Sequence, residues 1–133
     1  MPKSSQLVLL VEDRPELREV ITEFLSATFQ AENASNFDDG MVLLKASTPS
    51  LLIANVLLPG SGDGVQLAEA AHRLIVPTLL ISGHPEVIAK HEELELPFLS
   101  KPFRLSELQR VIRTLIDAKP ATAELTQAKL HLP

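Results

Sequence analysis

Apolar residues fall into two kinds of run along this chain. Leu7-Val8-Leu9-Leu10-Val11, Leu51-Leu52-Ile53-Ala54-Asn55 and Thr78-Leu79-Leu80-Ile81-Ser82 are nearly continuous apolar stretches of strand length. Such runs suit strands buried on both faces, as in a parallel sheet. Ala31 to Ser35 is a weaker strand candidate, and Pro97-Phe98-Leu99-Ser100 is a short final one. Between them the apolar positions return at helical spacing. Leu17, Val20, Ile21, Phe24 and Leu25 mark a first helix that runs to about Phe29. Asp13 is placed to cap it, with Pro15 in its first turn. A second helix covers Asp38 to Ala46, with Met41 and Leu44 inward and Val42 as a further inward candidate. A third covers Val65 to Leu74, with Leu67, Ala68, Ala71 and Leu74 on one face. A short fourth covers Glu86 to about His91. Leu105, Leu108, Val111, Ile112, Leu115 and Ile116 make the fifth and most regular amphipathic helix.

Strand and helix thus alternate five times. This predicts an α/β domain, a five-stranded parallel sheet with helices on both faces. Right-handed crossovers favour the doubly wound, flavodoxin-like (βα)5 arrangement with strand order 2-1-3-4-5. Residues 6–118 make this unit, after an N-terminal tail of residues 1–5. Residues 119–133 form a C-terminal tail with sparse apolar positions.

Composition narrows the function classes. The 133 residues fit one domain with a proper core, and 45% hydrophobic with 22% charged is ordinary for a globular protein. A net charge of -5 argues against direct nucleic-acid binding through a basic surface. The absence of cysteine excludes disulfides, zinc thiolates and thiol catalysis. No apolar run approaches the ~20 residues of a membrane span. The polar start, with only a short apolar run after it, does not read as a signal peptide, so a cytoplasmic protein with no membrane partner is expected. The histidines at 72, 84, 91 and 131 show no i, i+4 pair of the kind zinc uses. Gly60-Ser61-Gly62-Asp63-Gly64 has the wrong spacing and place for a dinucleotide loop.

In an open parallel sheet, sites form outside the carboxyl ends of the strands. Glu12 and Asp13 end the first strand, Asn55 the third, Ser82 the fourth, and Lys101-Pro102 follows the fifth. Two acids, an amide, a hydroxyl and an amine should therefore converge. Each also has a plainer reading. The acids suit a helix start. Lys101 can be a structural partner to Asp13 or Glu12. Ser82 can be a strand-end hydroxyl bonded to backbone.

Val11-Glu12-Asp13, Asn55-Val56-Leu57-Leu58-Pro59-Gly60, Ser82-Gly83 and Lys101-Pro102-Phe103, in this order on these elements, resemble the receiver domain of bacterial two-component response regulators, the CheY-like group. The resemblance covers about Gln6 to Ala118. It implies that Glu12 and Asp13 help hold Mg²⁺, with the side chain at position 55 and the backbone of Leu57. It implies that position 55 accepts a phosphoryl group from a kinase histidine. Ser82, Phe98 and Lys101 would respond to the phosphate, with a cis Lys101-Pro102 bond. The chemistry suits the residue types: a hard cation takes carboxylate oxygens, and phosphoryl oxygens take a hydroxyl and an ammonium. A histidine kinase, a phosphotransfer protein or a downstream signalling protein is the implied partner. The fourth strand with the fourth and fifth helices is the implied homodimer contact.

The sequence departs from the family at the acceptor. Four residues before the loop proline Pro59 the family has Asp, and here stands Asn55. A neutral amide oxygen is a poor nucleophile, and one charge fewer weakens a Mg²⁺ site. Phe98, three residues before Lys101, lacks the hydroxyl of the Tyr often found there. The loop from Pro59 to Gly64 is one residue longer than the commonest family form. Three readings follow. The first is a stand-alone, non-enzymatic receiver that acts by binding, its output passing through a partner. The second is a conventional phosphoacceptor in a phosphorelay, whose native residue 55 is Asp. The third is a flavodoxin-like cofactor binder, disfavoured by the absence of Trp and Tyr to stack a flavin.

Overall fold

The computed structural model describes residues 5–84 and 96–117. The expected helix over Glu86 to His91 and the tail over residues 119–133 lie outside the described residues, as does most of the N-terminal tail. Strands β1 (Leu7–Val11), β2 (Gln30–Ala34), β3 (Leu51–Asn55), β4 (Thr78–Ser82) and β5 (Phe98–Ser100) alternate with helices. The described helices are α1 (Pro15–Ser26), α2 (Phe37–Ser47), α3 (Gly64–Arg73) and α4 (Leu105–Asp117). All strand pairs are parallel, in the order β2-β1-β3-β4-β5. This is the doubly wound order expected from the alternation of strand and helix.

The continuous apolar runs take the centre of the sheet. Every residue of β3 and β4 is buried. Alternate residues face opposite layers. Leu9, Val11, Leu52, Ala54 and Leu80 pack with Leu44 of α2 and with Leu67, Ala68 and Ala71 of α3. Val8, Leu10, Leu51, Ile53, Leu79 and Ile81 pack with Ile21 and Leu25 of α1 and with Leu108, Ile112 and Leu115 of α4. Strand β2 is polar in composition, GlnAlaGluAsnAla, and lies at the sheet edge.

Two inward assignments change. Val42 is 66% exposed, because Gly40 and Leu44 set the buried face of α2 and Val42 sits about 200° around the helix from Gly40. Leu74 is the C-cap of α3 and is turned partly to solvent. Asp13 does not cap α1. The N-cap is Arg14, without a side-chain cap bond, and Pro15 opens the helix. The Asp13 carboxylate is turned toward the end of β3 instead.

The β3–α3 connection is held firmly. Asp63 caps α3 through a reciprocal box with Gln66. The Asp38 carboxylate accepts from the Ser61 N–H at 3.1 Å, and the Phe37 N–H donates to the Pro59 carbonyl at 2.9 Å. Gly60 takes a positive φ of 110°, a conformation that favours glycine. The loop is thus tied to the start of α2.

Candidate functional site

The backbone ladder runs on past the strand ends and aligns the polar residues there. The Glu12 N–H donates to Ala34 O, the Val56 N–H to Ile81 O, and the Lys101 N–H to Ser82 O, at 3.0, 3.0 and 2.8 Å. Glu12, Asp13, Asn55, Ser82 and Lys101 are therefore gathered at the carboxyl edge of the sheet. The Lys101–Pro102 peptide bond is cis.

Glu12 is fully buried, at 0% exposure. Such a carboxylate needs partners, and among the described residues it has two. Lys101 Nζ lies 2.7 Å from Oε1, and the Arg14 backbone N–H donates to Oε2 at 2.9 Å. Asn55, 9% exposed, donates through Nδ2 to Asp13 Oδ1 at 3.1 Å. This orientation of the amide is the one the carboxylate demands, since the reverse would set two acceptor oxygens against each other. Ser82 is buried, and its Oγ accepts from the His84 N–H at 3.0 Å. For Lys101 and Ser82 the plainer readings describe what the side chains do here: one pairs with Glu12, the other bonds backbone.

Asp13 lies at the rim. Burial works against its charge, but the Asn55 amide N–H, its own backbone and the Lys101 charge outweigh that effect, holding the carboxyl below its usual 3.8. Because the native value is depressed, the associated stability is present above the ordinary carboxylate range. It is lost as pH falls through the lower native value. Denaturation at a series of acid pH values should show the wild type losing stability more steeply below pH ~4 than Asp13→Asn. Parallel curves for the two proteins would show that Asp13 gains nothing from its neighbours.

Above these groups opens a cleft of about 820 Å³. Asp13, Asn55, Lys101 and His84 line its polar side, and Leu17, Val20, Leu57, Phe103 and Leu105 its apolar side. Leu57 thus sits beside the site, half exposed. Phe98 is not among the lining residues; it packs, partly buried, on the layer formed by α2 and α3. Arg18 is a participant that sequence reasoning missed. Its guanidinium donates to the carbonyls of Glu12 and Asp13 at 3.0 and 3.4 Å, fixing the β1–α1 turn. Its targets are backbone atoms, which leave no pattern in the sequence.

As arranged, the donor set does not fit a divalent cation. Both Glu12 oxygens are engaged, and Asn55 presents an N–H, not an oxygen, to Asp13. Among the described residues no three His, Cys, Asp or Glu side chains gather to hold a metal ion.

A parallel 2-1-3-4-5 sheet carrying an acid pair, a polar β3 terminus, a β4 hydroxyl and a β5 lysine at one edge defines the receiver class of signalling domains. Residues 8–113 match the family model of the response regulator receiver domain, and the chain belongs to that family. Response regulator Rre1 of Synechocystis is 29% identical, the match covering 88% of this chain and 54% of that protein. The chain spans about half or less of the length of the curated relatives it matches. Among solved structures, a response regulator receiver protein from Sinorhizobium medicae superposes with a TM-score of 0.78 at 23% identity, covering 86% of this chain and 97% of that one. TrrA from Thermotoga maritima, solved with Mg²⁺-BeF, gives 0.73 at 19% identity, covering 81% and 96%. No described helix is long and apolar enough to cross a membrane.

Proposed function

We propose that this chain is a receiver module that signals by protein–protein binding, without phosphorylation at position 55 and without enzymatic activity of its own. The observation that carries this reading is the Asn55 side chain, which stands at the end of β3 and donates an N–H to Asp13. An amide offers a phosphodonor no anionic oxygen, so no acyl phosphate forms there. The amide is also protected from conversion to a carboxylate. Cyclisation on the Asn55 carboxamide requires the Val56 nitrogen, which follows as part of a β-branched residue and donates to Ile81 O at 3.0 Å. Mg²⁺, seen with BeF in TrrA, would here have to break the Asn55–Asp13 bond to enter, which weakens its binding. Receiver domains work between histidine kinases and downstream signalling proteins. The partner here is such a kinase, a phosphotransfer protein or a downstream protein, reached without nucleic-acid or membrane binding by the receiver itself. A switch of this kind needs differential affinity for two states, and phosphorylation is one source among several.

The second reading, a conventional phosphoacceptor whose native residue 55 is Asp, draws support from the retained Glu12, Asp13, Ser82 and Lys101 at the same edge. Intact mass after incubation with Mg²⁺ and a small phosphodonor separates the two. The protein should stay unmodified, and Asn55→Asp should gain one phosphate at residue 55. An adduct on Asn55-containing protein that maps to this site would overturn the proposal. No adduct on the variant would mean that the surrounding groups no longer support the transfer.

A further inference from the structure

We propose that the Asn55 amide and the Lys101 ammonium together take the place of the divalent cation of this acidic edge, so that each acid is held by a donor from the chain's own side chains. The inference deepens the reading of Asn55 as a non-acceptor and rests on it. Its physical basis is a pairing of each acid with a built-in hydrogen-bond donor, one of them a cation. Lys101 Nζ holds Glu12 at 2.7 Å, and Asn55 Nδ2 holds Asp13 at 3.1 Å. Glu12 is fully buried, so its bond to Lys101 is made where water competes poorly, while the Asn55–Asp13 bond runs from a nearly buried amide to a carboxylate at the exposed rim.

The consequence is specific to an amide. An Asp at position 55 would add a third negative charge beside Glu12 and Asp13, and one lysine cannot neutralise three carboxylates in a partly enclosed site. A divalent cation would then be drawn to the edge by that added charge. With Asn55 the third charge is gone, and its polar hydrogen supplies the positive end that Asp13 needs. A cation approaching Asp13 meets that N–H. It can enter only if the Asn55–Asp13 bond breaks and the amide turns to offer Oδ1. The substitution at position 55 therefore does more than remove a nucleophile: it also closes the cation site from within.

The test is clean because the chain has three asparagines, Asn33, Asn36 and Asn55. Asn33 Nδ2 donates to Thr22, and Asn36 Nδ2 to Ser35 and Asp39, so both serve as internal references away from the acidic edge. Nitrogen-15 spectra of the side-chain amides are recorded for the whole chain while MgCl₂ is added to millimolar concentration. The expected result is an Asn55 pair that does not move, with amide protons slow to exchange, and that loses this protection in Asp13→Ala. Calorimetry on Asn55→Asp should in parallel show Mg²⁺ binding at least about tenfold tighter, equal to ~1.4 kcal/mol. A saturable shift of the Asn55 pair at millimolar Mg²⁺, with Asn33 and Asn36 still, would overturn the proposal. So would a failure of Asn55→Asp to gain Mg²⁺ affinity while it remains folded by circular dichroism, because no cation site would then exist for the amide to replace. Neither outcome depends on phosphorylation, which the mass measurement reads separately.

Discussion

Replacing Gly64 by alanine is expected to destabilise the domain by about 3 kcal/mol, at the upper end for a single methyl group. Gly64 opens α3, and its N–H donates to the Val56 carbonyl at 2.8 Å. A Cβ there collides with the Asn55 carbonyl oxygen. It also lies 2.9 Å from the Asn55 carbonyl carbon and 3.0 Å from the Val56 Cα. These are backbone atoms of the central strand, with no rotamer to relieve the clash. The first turn of α3 must back away, and with it Val65, Leu67 and Ala68, which fill one layer of the core. The same displacement pushes on the peptide that carries Asn55, so the Asn55–Asp13 bond should weaken as well. Gly40→Ala is the control. There the new Cβ meets side-chain atoms, Val11 Cγ2 at 2.9 Å and Leu67 Cδ1 at 3.4 Å, which can shift. Urea denaturation should therefore rank Gly64→Ala well below Gly40→Ala. Equal midpoints would mean that the loop from Pro59 to Asp63 yields easily, against the contacts that tie it to Asp38 and Phe37.

That glycine also marks how far the sequence could be read. The strands β1, β3 and β4 were legible because burial on both faces leaves nearly unbroken apolar runs. The order of the sheet was legible because right-handed crossovers leave few arrangements. Gathering Glu12, Asp13, Asn55, Ser82 and Lys101 at one edge followed from strand ends alone. What stayed hidden was which polar group takes which partner. Lys101 had two acids within sequence-level reach, and only the depth of Glu12 decides for it. Asp13 looked like a helix cap because spacing sees the next helix and is blind to Asn55 across the sheet. Val42 looked usable as core because apolarity does not say which side Gly40 has already claimed. Phe98 and Ser82 were grouped with the site by position, yet one packs on the opposite layer and the other bonds its own turn. Partner choice in such a site depends on burial and rotamers, and these are tertiary properties.

Lys101→Met should reveal the strongest of those partnerships. The variant keeps most of the side-chain volume and removes the ammonium, leaving Glu12 at 0% exposure with the Arg14 N–H as its remaining partner. Breaking one half of a buried ion pair typically costs about 3–5 kcal/mol, against ~0–1 for an exposed pair. Lys101 is itself 16% exposed, so a value near the lower end is expected. Adding Glu12→Gln to Lys101→Met should recover much of the stability at neutral pH, because the orphaned charge is gone. The double-mutant cycle isolates the pair. If Lys101→Met costs less than about 1 kcal/mol and Glu12→Gln adds to it without coupling, the pair behaves as a surface bridge. The acidic edge would then owe its balance to Asn55 and the backbone alone.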